Sequence, residues 1–321
     1  DEYDLFCLDM WGVMHDGTRP YDGVLDVVQK LKAAGKRMVI LSNSSKRQDN
    51  SLKMLRKLGF QPDTDFEQVI TSGEVAYQML LGGAVDSSPL VVQTSTTIWA
   101  PLENANKKAV VLGSGDGDVE YLQACGWQVA PPSEASLVIA RGTFTVNHGA
   151  SVVHKRHDGA TVYDAALAAT LDACATRQLP LLVTNPDKIR PDAERPPMPG
   201  QIGDAYEAAL VRQGVENPAQ TLVKRIGKPF SDVYEMSLQG MSIDKSRVCM
   251  VGDALETDVV GGTLAGIATV WVLMDGIHAP DIQQYGGRAS QVLAAFHEKS
   301  HETYAQGRTL RPDYVLDHFR W

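Results

Sequence analysis

Apolar residues along this chain follow two rhythms. Short unbroken runs occur at Leu5-Phe6-Cys7-Leu8, Met38-Val39-Ile40-Leu41, Val69-Ile70 and Val248-Cys249-Met250-Val251, and Ala268 to Leu273 is interrupted only by Thr269. They lack the alternation of a half-exposed strand and predict strands buried on both faces. Between them, apolar residues recur at helical spacing. Val24, Val27, Val28 and Leu31 lead up to Gly35, and Leu52, Leu55 and Leu58 to Gly59. Glycine is a natural C-terminal cap, so each series predicts a helix that ends there. Strand alternating with helix implies right-handed crossovers and a parallel sheet, an α/β fold.

From about Ser72 the alternation restarts. Ala109 to Leu112, Leu137 to Ala140 and Leu181 to Thr184 predict three more strands, with helices over Val119 to Ala124 and Tyr163 to Ala175. A proline-rich stretch, Pro186 to Pro199, then leads to helices at Asp204 to Gln213, Ser231 to Leu238 and Glu256 to Leu264. Residues 276–307 are polar and partly helical in pattern, and Pro312 to Asp317 predicts a last edge strand. The 186 positions between Ser42 and Lys228 far exceed one crossover. The expected division is a discontinuous first domain, 1–72 and 196–321, with a second α/β domain, 73–195, inserted into it.

Three of the buried runs end on residues with chemistry: Asp9, Ser42, and Gly252-Asp253. In open α/β sheets ligands bind beyond the carboxyl ends of the strands. An acid at one strand end is common and means little alone. Asp9, the stretch Ile40-Leu41-Ser42-Asn43, the stretch Ile226-Gly227-Lys228-Pro229, and Gly252-Asp253 followed by Asp258 stand in this order along the chain. Together they resemble the four motifs of the haloacid dehalogenase superfamily. The size and position of the inserted domain are similar to the large cap of its subfamily IIA, the NagD-like or p-nitrophenyl phosphatase group. Only 33 positions separate Asp9 from Ser42, too few for the helical cap of other branches.

That resemblance implies a Rossmann-like core and a phosphatase chemistry. Asp9 is the expected nucleophile, forming an aspartyl-phosphate. The Ser42 hydroxyl, Lys228 and backbone donors near Gly12 and Asn43 hold the phosphoryl oxygens. Two carboxylates on neighbouring strand ends repel unless a cation lies between them, and Mg²⁺ suits an oxygen-only, partly hydrated site. The family's ligands map onto Asp9, Asp253 and the backbone carbonyl of Trp11, with Asp258 behind them orienting a metal-bound water or Lys228. Glu256 competes with Asp258 for that place. Asn185-Pro186-Asp187 resembles the loop that faces substrate in NagD-like caps, although Asn and Pro also favour plain turns.

Trp11 departs from the phosphatase pattern. Phosphatases of this superfamily carry a second Asp there, which protonates the leaving group. General acid–base catalysis is worth roughly a hundred- to ten-thousand-fold, so its loss predicts a slow phosphatase unless His15 or Asp16 supplies the proton. Haloacid dehalogenases have an aromatic residue at this position and work without metal, which keeps carbon–halogen hydrolysis open. A catalytically weakened binding or assembly subunit is the remaining alternative.

Composition narrows the partners. The chain has 44% hydrophobic and 21% charged residues, ordinary for a globular protein. Its formal net charge of −9, without a basic stripe, argues against nucleic acid. No apolar run is long enough to span a membrane. No signal-peptide pattern opens the chain, and its start on Asp1-Glu2-Tyr3 is consistent with trimming from a longer precursor. Cys7, Cys125, Cys174 and Cys249 have neither metal nor disulfide-framework spacing and are expected as reduced thiols, in the cytoplasm or an organelle matrix. A small phosphorylated metabolite is the expected partner; a homodimer or a larger assembly is left open. Gly113-Ser114-Gly115-Asp116-Gly117 lacks the third Gly of a dinucleotide loop. Residues 143–159, with His148, His154 and His157, are expected as a solvated hairpin rather than a metal site.

Overall fold

A computed structural model describes residues 2–82, 99–190, 194–304 and 310–321. The chain forms β1 (Leu5–Leu8), β2 (Arg37–Ser42) and β3 (Gln68–Thr71). Then come β4 (Lys108–Gly113), β5 (Gln128–Val129), β6 (Leu137–Ala140), β7 (Thr145–Asn147), β8 (Val152–His154), β9 (Leu181–Val183) and β10 (Val223–Arg225). It ends with β11 (Val248–Gly252), β12 (Ala268–Val272) and β13 (Tyr314–Leu316). The first sheet runs β13-β12-β11-β1-β2-β3, every pair parallel. The second runs β10-β9-β6-β4-β7-β8, with β5 beside β4. This is the expected α/β architecture of a parallel core sheet with a second α/β unit inserted after β3.

The chain winds outward from β1 in both directions, to β2 and β3 on one side and β11 to β13 on the other. The carboxyl end of β1 is therefore a topological switch point. Leu8 lies opposite both Ile40 and Val251, so Asp9, Ser42 and Asp253 leave the sheet at one edge. Helices Val24–Ala33 and Gln48–Lys57 cover one face, burying Val24, Val27, Val28, Leu31, Leu52 and Leu55. These are the residues whose spacing predicted the two helices.

Helix Ser72–Leu81 is buried almost all round because it lies between the two sheets. The Thr71 side chain caps it, accepting from Glu74 N at 3.1 Å. The second unit grips it through Tyr121, whose hydroxyl donates to Gly73 O at 2.7 Å, and Trp127, whose Nε1 donates to Leu80 O at 3.0 Å. One hydrophobic cluster runs from Leu5, Val39 and Ile70 through this helix to Ala109, Val111 and Leu137.

The expected boundary at 195/196 needs correction. β10 pairs with β9 in the second sheet. Helix Pro199–Arg212 packs Ile202, Tyr206, Ala209 and Leu210 into the second unit's core. Residues 199–225 thus belong with the inserted unit, because their apolar face covers its sheet. Residues 143–159 contain the antiparallel hairpin β7–β8 and a short helix, Lys155–Asp158. His148 bonds Thr170 Oγ1 at 3.0 Å, and the histidines there form no metal-ligating cluster among the described residues. The polar stretch after β12 holds helices Ala279–Gln284 and Ala289–Tyr304, and Ile282, Val292 and Phe296 pack on Trp271 and Leu273. Among the described residues no helix is long and apolar enough to cross a membrane. All four cysteines are buried free thiols.

Candidate active site

Asp9 follows β1 directly, its N–H donating to Val251 O at 2.9 Å. The chain then folds into a tight turn in which Met14 N donates to Met10 O at 2.8 Å. Gly12 sits in that turn at φ +83°, and a Cβ there would come 2.3 Å from Asp253 Oδ2. Only glycine lets the backbone lie this close to the second carboxylate. Asp253, at the end of β11, is pinned by Ile277 N at 2.7 Å, while its carbonyl accepts from Trp271 Nε1 at 2.9 Å.

Asp258 lies in the wide turn Leu255–Val259, where Val259 N reaches back five residues to Ala254 O at 3.3 Å. Such π-type turns are uncommon and concentrate at functional sites. This one replaces the first part of the helix expected from Glu256. It brings the Asp258 carboxylate back under Gly252, where a Cβ would meet its carbon at 2.1 Å. Glu256 instead bonds His278 Nε2 at 3.0 Å.

Lys228 ties the acids together. It is 1% exposed, and its Nζ lies 2.8 Å from Asp9 Oδ1 and 2.6 Å from Asp258 Oδ1. Burial opposes its charge, but the Asp258 and Asp9 carboxylates outweigh that and hold it above the usual lysine range. Asp258 is pushed up to about 6 by burial and by Asp9, against the pull of Lys228. Asp253 is raised well above the ordinary range by burial and by Asp9 and Asp258.

The donor set fits a hard cation. One oxygen each from Asp9, Asp253 and Asp258 lies within 4.8 Å of the others. Three carboxylates facing one ammonium leave a surplus of negative charge that a divalent ion offsets. The Trp11 carbonyl accepts no hydrogen bond among the described residues, leaving its lone pairs available.

Asn43, directly after Ser42, joins three segments. Its Oδ1 accepts from Lys228 N at 2.7 Å and Ser72 Oγ at 3.4 Å. Its Nδ2 donates to Lys228 O at 3.0 Å and to Asp187 Oδ1 at 2.8 Å. Asn43 is thus consumed in assembling the site, which leaves backbone groups and Ser42 for a ligand. The Ser42 hydroxyl accepts from Ser44 N at 3.3 Å. Asn185 is buried, and its Oδ1 accepts from Asp187 N at 2.8 Å, so its side chain shapes the turn. Ser72 is a site residue that the sequence pattern did not flag; as the first residue of a helix it carried no distinguishing signal.

The residues around Trp11 bear on the missing acid. The indole lies over Gly17, where a Cβ would come 2.6 Å from it, and stands edge-on to the His15 ring at 5.9 Å. His15 Nδ1 accepts from Gly17 N at 2.9 Å, and burial lowers the imidazole below its ordinary range. The Thr18 hydroxyl and the Arg19 and Thr18 backbone hold Asp16 far below the usual carboxylate range. A neutral buried imidazole and a firmly ionised carboxylate are both poor proton donors at neutral pH. In the second unit, Asp118 closes the Gly113–Gly117 loop by accepting from Gly115 N at 2.8 Å and pairing with Arg141.

A haloacid dehalogenase-like hydrolase model matches residues 6–128, and a second model of HAD-like hydrolases matches residues 225–299. Human chronophin is 28% identical over 285 residues, covering 86% of this chain and 83% of that one. Phosphoglycolate phosphatase 2 of Arabidopsis thaliana is 27% identical over 278 residues, covering 85% and 83%. A 4-nitrophenylphosphatase structure from Thermotoga maritima superposes with a TM-score of 0.63 at 23% identity, covering 99% of this chain and 95% of that one. A glycerol phosphate phosphatase from Mycobacterium tuberculosis in complex with magnesium gives 0.59 at 18%, covering 99% and 76%. At these identities the structural likenesses speak for the fold.

Proposed function

Because the chain belongs to the haloacid dehalogenase superfamily, in its NagD-like subfamily IIA, we propose that it is a magnesium-dependent phosphatase of small phosphomonoesters, working through an aspartyl-phosphate on Asp9. One observation carries the reading: a buried ammonium, Lys228, lies between Asp9 and Asp258, with the Asp253 carboxylate beside them. Several relatives bear phosphatase names, among them phosphoglycolate phosphatase and glycerol-3-phosphate phosphatase.

Asp9 attacks phosphorus in line with the ester oxygen. Lys228 and the Ser42 hydroxyl hold the phosphoryl oxygens, and Asp258 keeps the ammonium aimed at Asp9. Asp9, Asp253 and the Trp11 carbonyl would hold a magnesium ion, which when bound offsets charge on the reacting oxygens. The buried surplus of carboxylates supports a metal enzyme over the metal-free carbon–halogen hydrolase. Trp11 favours a second reading, a weakened member that serves as a binding or assembly subunit.

A phosphomonoester panel with and without Mg²⁺ tests the proposal. Turnover that needs the ion and is abolished in a folded Asp9→Asn variant is the expected result. No turnover by the parent on any ester, together with a stoichiometric protein partner, would favour the second reading.

A further inference from the structure

We propose that Asp187 is the acid that protonates the leaving group in place of the carboxyl missing at Trp11; the assignment rests on the phosphatase reading above. Asp187 follows β9 on the turn Asn185-Pro186-Asp187, at the carboxyl end of the second sheet, where the inserted unit meets the core. Its Oδ1 accepts from Asn43 Nδ2, next in sequence to the phosphate-binding Ser42. The same Asn43 holds the backbone of Lys228 from the other side. One buried amide therefore ties this carboxyl to the backbone of the residue whose ammonium holds the phosphoryl group.

The turn itself is held rigidly. Gly200 N donates to Asp187 O at 3.0 Å, and a Cβ at Gly200 would lie 2.1 Å from Pro186 O. A Cβ at Gly227 would lie 2.5 Å from Asn43 Oδ1 and 2.9 Å from Pro186 Cδ. Two glycines thus let the cap turn and the lysine loop press together around Asn43. The second carboxyl oxygen, Oδ2, has no hydrogen-bond partner among the described residues. It is the atom available to carry a proton.

Other acidic groups at the site are committed. Asp9 is the nucleophile, Asp253 is pinned by Ile277 N, and Asp258 holds Lys228. Asp16 is ionised in its own turn. Burial pushes Asp187 up to about 7, with Asp9 and Asp258 adding to the rise and Asn43 and Lys228 opposing it. A carboxyl titrating there is protonated in part of the population at neutral pH, the condition for an acid that must also act as a base.

The steps balance. Asp9 Oδ forms a bond to phosphorus as the ester P–O bond breaks. The electron pair of that bond goes to the leaving oxygen, which takes the proton from Asp187 Oδ2 and departs as alcohol. The Asp187 carboxylate then takes a proton from water as the water oxygen bonds to phosphorus. The P–O bond to Asp9 breaks, releasing phosphate and restoring both side chains.

The test compares an alkyl and a nitrophenyl phosphate with the parent and with Asp187→Asn, which keeps the acceptor for Asn43. A nitrophenolate needs little protonation, and kcat/KM reports only steps through aspartyl-phosphate formation. The variant should lose about a hundred- to ten-thousand-fold in kcat/KM on the alkyl ester and less than about tenfold on the aryl ester. Its kcat on the aryl ester should also fall, with a burst of nitrophenolate before slow turnover, because the water step has lost its base. In carbon-13 spectra of the metal-free parent, one Asp carboxyl should titrate near pH 7 and be missing from the variant. Equal losses on both esters, or no loss on either, would overturn the assignment and leave the phosphatase reading standing. No turnover of either ester by the parent would overturn both.

Discussion

Replacing Lys228 by Met removes one buried charge and keeps most of the volume. The ammonium makes contacts of 2.8 and 2.6 Å to two carboxylates. At an effective dielectric constant near 20, each contact represents about 6 kcal/mol of attraction. Several kcal/mol of that is offset by the cost of taking the ammonium out of water, and breaking such buried pairs costs about 3–5 kcal/mol of stability. The loss should depend on pH. Asp258 is already raised to about 6 in the folded protein and would rise further without Lys228. A raised carboxyl contributes stability that is present at low pH and is lost as pH climbs through the folded value. The variant's deficit against the parent should therefore be largest near pH 8 and shrink toward pH 5, where its carboxylates protonate. Urea denaturation of both metal-free proteins at the two pH values measures this. Turnover should fall by about a hundred- to a thousand-fold, as for loss of a charge-stabilising donor. A deficit below about 1 kcal/mol, or one equal at pH 5 and pH 8, would refute the electrostatic account of the site.

Asp253→Asn removes a carboxylate that burial and two like charges already disfavour, so the metal-free variant should be more stable than the parent by about 1–3 kcal/mol. Mg²⁺ should raise the Tm of the parent and not that of the variant, and calorimetry with and without the ion checks both. Trp11→Asp, made in the Asp187→Asn background, should recover at least tenfold in kcat/KM on the alkyl ester, because it returns an acid to the position other phosphatases use. No recovery in a folded double variant would mean that position 11 does not reach the leaving oxygen.

The strand-end residues were legible because a parallel sheet buried on both faces leaves its strands as plain apolar runs. Asp9, Ser42 and Asp253 each follow such a run, and pairing then aligned them at one edge. Lys228 was legible only through the four-part pattern, since a lysine before a proline carries no signal alone. β10 was not: Val223-Lys224-Arg225 has a single apolar residue, and its pairing with β9 arises from tertiary packing. The spacing of Ile202, Tyr206, Ala209 and Leu210 told of an apolar face without telling which sheet it would cover. The bond between Asn43 and Asp187 spans 144 positions, a contact that no local pattern encodes.

β10 ends at Arg225, and Ile226 N still donates to Val183 O of the second sheet at 2.9 Å. Lys228 N is already held by Asn43 of the first. The crossing from one unit to the other is therefore made at Gly227, at φ +126°. This sets the splice point for grafting caps between relatives. A chimera joined at 195 would leave β9 with a bare edge and strip Ile202, Tyr206 and Leu210 of the sheet they cover. A donor cap has to bring its own last strand as far as residue 226, and to end on a turn that can meet Asn43.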